Sequence, residues 1–345
     1  MASSSEPRSF AAFRDGIARV NAAPAVLAGV CVLTLLVALP LSFTVRGMLQ
    51  AHLGSSLEAA QAAAGINYDW WQEFSAQASG LGTTFAPTII GFGAVLENVS
   101  ALADNLPMVT AVAGAIAVWM VLWSFVSGGV IDRYARQRPT RSHGFFSAAG
   151  GLFWRILRLG ILAFLAYYFL FALLHGLLLD DLYEWATRDL AVERSAFLVR
   201  AGLYALFAVV LAAVNIAFDY ARVRLVVEDR RSALGALLAG ARFVRRHPRS
   251  IQVYALNTAA FVVLGLAYAL LSPGAPTNGV AMWAALGLGQ MFIVGRHYVK
   301  LLFYASEVAF FQASLAHAAY TAAPAIEWPE SPAAEAILNA DAIGR

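Results

Sequence analysis

Charge is what this chain has least of. Asp, Glu, Lys and Arg make up 13% of its 345 residues, against about a quarter in a soluble domain. With 60% hydrophobic residues and a mean hydropathy of +0.66, too little polar side chain remains to clothe a water-facing surface. A membrane is therefore the expected solvent. Lysine is nearly missing: Lys300 stands alone beside 23 arginines. Cys31 is the single cysteine, which excludes an internal disulfide, and its apolar surroundings mark it as a small core residue. The six histidines and that cysteine lack the spacing of a metal site. There is no glycine-rich phosphate loop and no nucleotide-binding motif, so a nucleotide-driven pump would need another subunit. No nucleophile, base and acid combine into a catalytic set. The expectation is a chain without catalytic, cofactor or metal residues and without a nucleic-acid partner.

What is present in quantity is apolar sequence in long runs. Six of them, at about 23–45, 108–131, 156–179, 196–218, 251–271 and 280–303, approach or exceed the roughly 20 helical residues that cross a hydrocarbon layer of about 30 Å. The first is too long for a signal peptide and no small-x-small cleavage site follows it, so it reads as an uncleaved anchor. Charge then orients the chain. Segment 132–158 carries six arginines and one aspartate, and segment 219–249 carries eight arginines against Asp219, Glu228 and Asp229. By contrast, segment 46–107 holds one arginine and five acids, and segment 180–195 two arginines and five acids. Positive loops stay on the cytoplasmic side. Both termini are thus expected inside a bacterial inner membrane, with 46–107, 180–195 and 272–279 outside. Segments 1–22, 132–155 and 219–250 lie at the inner face, the last span continues as helix to about 317, and 318–345 forms a flexible cytoplasmic tail.

The inner ends resemble one another. Span two ends in Asp132-Arg133-Tyr134-Ala135-Arg136, span four in Asp219-Tyr220-Ala221-Arg222, and span six reaches Tyr304-Ala305-Ser306-Glu307. The segments 9–21, 143–158 and 232–247 lead into spans one, three and five as amphipathic stretches. Their expected apolar stripes are Phe10, Phe13, Ile17 and Val20; Phe145, Ala149, Leu152 and Ile156; and Leu234, Leu237, Leu238 and Ala241, with Arg245 falling back on the last. A basic amphipathic helix running into a span reads as an elbow in the inner headgroup layer, with anionic lipid headgroups as its partner. The unit is elbow, span, span, used three times, unless the likeness is a coincidence among generic membrane segments.

The elements Gly129-Val-Ile-Asp132-Arg-Tyr-Ala-Arg136, Arg138-Pro-Thr-Arg141-Ser-His-Gly-Phe-Phe146 and Val227-Glu-Asp-Arg-Arg-Ser232 resemble those of six-span bacterial inner-membrane proteins of uncharacterised role. More distantly they are similar to the membrane domain attached to some glycerophosphodiester phosphodiesterases. The resemblance spans residue 23 to about 315. It implies a fold and a location, and it carries over no catalytic residue because the soluble phosphodiesterase domain has no counterpart in this sequence.

Two groups of residues stand out. "NYDWWQEF" at 67–74 places Tyr68, Trp70, Trp71 and Phe74 in the external segment. Trp and Tyr favour the membrane–water boundary, so these four are candidate interfacial anchors of a helical cap, with docking of a protein partner as the competing reading. In that cap, 49–64 reads as helix, Asn67 or Asp69 can cap a second, and Pro87 can begin a third carrying Phe92, Val95, Leu96, Val99 and Leu102. The other group is polar: Asp219, Arg222, Arg296, His297 and Lys300 lie near the inner boundary. Ionisable groups at such depth suggest function unless they are paired or snorkel. An Asp219–Arg296 ion pair linking spans four and six is expected. Asn215 and Asn257 read as interhelical hydrogen-bond links.

The fold class expected is an all-α integral membrane protein, a six-transmembrane-helix bundle of elbow and hairpin units with an external helical cap between spans one and two. The role expected is a non-catalytic scaffold or subunit of a membrane complex. The alternative is a permease-like or lipid-handling protein that uses the buried cations of span six.

Overall fold

The computed structural model describes residues 9–54, 56, 58–59, 61, 67–86, 92–106, 110–137, 141–272, 276 and 278–317. Every regular element among them is helical. In chain order these are α1 (Ser9–Asn21), α2 (Pro24–Leu53), α3 (Tyr68–Gln77), a 3-10 turn (Gly80–Thr84), α4 (Phe92–Ala103), α5 (Thr110–Arg136), α6 (Ser142–Thr187), α7 (Glu193–Val227), α8 (Ala233–Arg246), α9 (Arg249–Leu271) and α10 (Gly279–His317). Six of them, α2, α5, α6, α7, α9 and α10, are long and apolar enough to cross a membrane. Local chemistry sets several starts. Pro24 opens α2, where its missing N–H has no helical partner to lose. Ser232 caps α8 by accepting from the Gly235 N–H at 3.1 Å. Asn67, rather than Asp69, caps α3 by accepting from the Trp70 N–H at 3.1 Å.

The helices outrun the apolar segments. α7 has 35 residues, about 52 Å at 1.5 Å per residue, against a hydrocarbon layer of about 30 Å. The excess lies at the arginine-rich ends, and there the chain builds its core. Val130, Ile131 and Tyr134 of α5, Ile216, Tyr220 and Val223 of α7, and the α10 run from Leu301 to Phe311 form one buried cluster with α1, α8 and α9. The tyrosines of all three Tyr-Ala pairs, Tyr134, Tyr220 and Tyr304, meet in that cluster and are at most 4% exposed. Towards the other end the apolar faces are largely open: only 6% of the residues in the most apolar stretches of α2, α7 and α10 are buried.

Of the expected α1 stripe, Phe13, Ile17 and Val20 pack against the core cluster and Phe10 points away. α1 buries Ser9, Ala12, Gly16 and Arg19, with Val20, while Phe10 is 61% exposed. α8 buries Ala233, Ala236, Gly240 and Phe243, while Leu234 and Leu238 face outwards. In both, small residues at i, i+3 and i+7 turn inward, Ser9, Ala12 and Gly16 in α1 and Ala233, Ala236 and Gly240 in α8, beside the larger Val20 and Phe243. The reason is proximity. A Cβ on Gly16 would lie 2.8 Å from the Ser306 backbone of α10, and one on Gly240 would lie 2.7 Å from the Ala217 carbonyl and the Ala221 N–H of α7. Helices this close exclude large side chains from the contact, so Phe10, Leu234 and Leu238 are left for apolar surroundings. In the second segment Phe145, Ala149, Leu152 and Ile156 do point inward, against Gly128 and Gly129 of α5. That segment is not a separate elbow, however. α6 runs unbroken from Ser142 to Thr187, packing along α5 as one arm of an antiparallel hairpin.

α6 widens into π-helical turns at Leu170–His175 and Leu177–Leu182. There it is tied to the end of α4: His175 Nε2 meets the Ala103 carbonyl at 2.7 Å and Asn105 Nδ2 donates to the Phe171 carbonyl at 3.1 Å. Tyr204 of α7 donates to Asp104 at 2.9 Å. In the expected cap, residues 49–53 belong to α2, which extends to Leu53. Most of 54–66, Pro87 and the tail 318–345 lie outside the described residues.

Candidate functional site

The inner core contains a polar centre. Its geometry follows from helical spacing: Lys300, Tyr304 and Glu307 of α10 stand at i, i+4 and i+7, on one stripe facing α5 and α7. From α7 comes Asp219, whose carboxylate holds Arg222 Nη1 at 2.5 Å. The two are an i, i+3 pair within one helix, so the expected Asp219–Arg296 link between α7 and α10 does not form. Arg296 is exposed and lies 6.0 Å from the Phe292 ring of its own helix. It precedes Glu307 by three helical turns on nearly the same face, but at that level the bundle has already opened and nothing covers it. His297 is held elsewhere. Its Nε2 is 3.1 Å from Thr34 Oγ1 of α2, and that hydroxyl gives its only proton to the Val30 carbonyl.

Lys300 is the cation that enters the centre. Its ammonium sits 3.5 Å from the Trp123 ring centroid on α5, a cation–π contact of up to about 2 kcal/mol when desolvated. The same indole donates from Nε1 to Tyr304 Oη at 3.1 Å, so α5 and α10 are joined through one tryptophan. Asn257 of α9 donates to Ser306 Oγ at 2.7 Å, and Tyr167 of α6 bonds Asn215 of α7. Both asparagines thus act as the interhelical links their positions implied.

Glu307 lies outside the polar group expected from the sequence, although its i+7 spacing from Lys300 is a signal that places it on the same stripe. It is fully buried, and neither carboxyl oxygen has a hydrogen-bond partner among the described residues. It lies within electrostatic reach of Asp219 and Arg222. An orphaned buried polar group of this kind costs about 1–3 kcal/mol, and more when charged. Of the expected group, then, Asp219, Arg222 and Lys300 come together and Glu307 joins them, while Arg296 and His297 lie within electrostatic reach of Lys300 but contact Phe292 and Thr34.

The aromatics of α3 form a small core with His52 and Phe85. Phe74 is 3% exposed and packs edge-on against His52 of α2 at 5.4 Å and against Phe85 at 5.9 Å. Trp70 Nε1 donates to His52 Nδ1 and Trp71 Nε1 to the Phe85 carbonyl, each at 3.1 Å. Both indole N–H groups are therefore satisfied within the protein. Tyr68, 57% exposed, is the outward member of the four. His52, His175, His247 and His297 each keep separate company, and no group of His, Cys, Asp and Glu among the described residues could hold a metal ion. No protein-family model, no curated protein and no solved structure matches this chain.

Proposed function

We propose that the chain is a multi-pass protein of the bacterial inner membrane, with both termini cytoplasmic, that serves as a non-catalytic scaffold or subunit of a membrane complex. One observation carries this reading: the helices close on one another at their arginine-rich ends and leave their apolar stretches open. An aqueous path across a bilayer needs polar groups at mid-membrane depth, walled by packed helices. Here Asp219, Arg222, Lys300 and Glu307 gather at the arginine-rich end of the bundle, beside the buried tyrosines. Apolar faces left open in this way suit neighbouring helices or lipid.

The elbow, span, span repeat belongs to the same proposal. It is supported by the meeting of the three Tyr-Ala tyrosines and by the shared small-residue register of α1 and α8. It is supported too by closure: α8 packs on α7, the helix before it, and α1 packs on α10, the last. The lipid-handling alternative keeps one specific observation in its favour, the buried Glu307 whose oxygens have no partner among the described residues. Extraction from the native membrane in mild detergent separates the readings. A scaffold migrates as a stoichiometric assembly with a further protein, and recovery solely as a lone chain with bound lipid would refute it. In a Cys31→Ser background, Ser79→Cys should react with an impermeant thiol reagent applied from outside and Ser232→Cys should not. The reverse pattern would overturn the orientation.

A further inference from the structure

Beyond a scaffolding role, the inner end carries a cavity of about 450 Å³ between α7, α8 and α10. Its lining mixes apolar groups, Leu238, Phe243 and Phe311, with four arginines, Arg224, Arg230, Arg242 and Arg246, and His247; the Arg224 guanidinium lies 5.7 Å from the Phe311 ring. Two of the four guanidinium groups are committed. Arg224 holds Glu228 at 2.8 Å and also donates to the Ala239 carbonyl at 2.8 Å, and Arg230 holds the same carboxylate. Arg242 and Arg246 make no ion pair or hydrogen bond with a described residue, and both are exposed. His247 is turned by its neighbour. Its Nδ1 lies 3.2 Å from the Phe243 carbonyl, which can only accept, so Nδ1 carries the proton and Nε2 is left free of that bond.

Basic residues at the end of a helix also complement its dipole, and that alone would explain Arg245, which does not line the cavity. It does not explain four arginines gathered around one cavity with leucine and phenylalanine between them. The outer face of α8 adds direction: Leu234, Leu238, Arg242 and Arg246 follow one another at intervals of four, so a single stripe passes from two exposed leucines to two unpaired guanidinium groups. A planar guanidinium fork matches phosphate oxygens bidentately, and exposed leucines match acyl chain.

We infer that this cavity binds a phosphate-bearing anion through Arg242 and Arg246. The adjoining leucines favour the headgroup of an acidic phospholipid over a free phosphate compound. The test uses the full chain in phosphatidylcholine nanodiscs, with thermal unfolding as the readout. One arm adds inorganic pyrophosphate; the other replaces part of the phosphatidylcholine by phosphatidylglycerol, with native mass spectrometry counting retained lipid. A rise in Tm with phosphatidylglycerol that is lost in the Arg242→Gln/Arg246→Gln variant assigns the site to a lipid headgroup. A rise with pyrophosphate alone, again lost in that variant, assigns it to a soluble phosphate compound. Affinity in the variant should fall on the order of tenfold or more, the loss of a charge-assisted bond. The outer-loop variant Arg188→Gln controls for net charge and should bind as the parent does. Absence of both shifts, or equal shifts in parent and double variant, would overturn the inference.

Discussion

Ser306 accepts a 2.7 Å hydrogen bond from Asn257 Nδ2 and passes its own proton to the Leu302 carbonyl, also at 2.7 Å. Both side chains are fully buried, and Gly16 of α1 presses on the same serine. One small residue thus joins α1, α9 and α10. Ser306→Ala strands the Asn257 amide donors in the core, which should cost about 1–3 kcal/mol and lower Tm in detergent. Adding Asn257→Val removes the stranded group and should recover part of the loss. A double variant less stable than Ser306→Ala alone would show that the bond is not what matters there.

Gly16 and Gly240 mark two close helix crossings, whereas Gly150 on α6 has open space where a Cβ would stand. Alanine at either crossing has to push backbone apart, so Gly16→Ala and Gly240→Ala should each destabilise by about 1–3 kcal/mol despite the better helix propensity of alanine. Gly150→Ala should stabilise by about 0.5–1 kcal/mol, since it gains the propensity and meets nothing. Thermal unfolding of the three single variants reads the contrast in sign directly; loss of stability in all three would remove the crowding argument.

Glu228 lies just beyond the end of α7. Burial pushes its carboxyl upward, but hydrogen bonds and charge from Arg224 and Arg230 outweigh that and hold it below the usual glutamate range. A carboxylate whose folded value is depressed contributes stability that is present above its unfolded value, about 4.3, and is lost as pH falls through the folded one. The Tm difference between the parent and Glu228→Gln should therefore be largest near neutral pH and shrink on acidification below the glutamate range. A difference independent of pH would mean that packing, not charge, separates the two proteins.

Much of this architecture is legible in one dimension. Apolar runs longer than a bilayer thickness and arginine-rich loops set helix number and place charge at one end, because both are properties of stretches and need no knowledge of neighbours. Pro24, Asn67 and Ser232 act at helix starts through their own local bonds. The Tyr-Ala pairs were visible as a likeness, although only folding brings Tyr134, Tyr220 and Tyr304 into one cluster. What the sequence could not decide is which face of a helix meets which neighbour. Periodicity ranks faces by hydrophobicity, and in water the most apolar face goes inward. Where the surroundings are themselves apolar, close approach decides instead: Gly16 and Gly240 turn inward, and Leu234 and Leu238 turn out. The same holds for charge. Depth suggested Arg296 as the partner of Asp219, but the bundle opens before it reaches Arg296, and Arg222, one turn away on the same helix, takes the carboxylate. The burial of Glu307 follows from the packing of α10 against α1, α7 and α9, a relation between distant segments that only the tertiary structure sets.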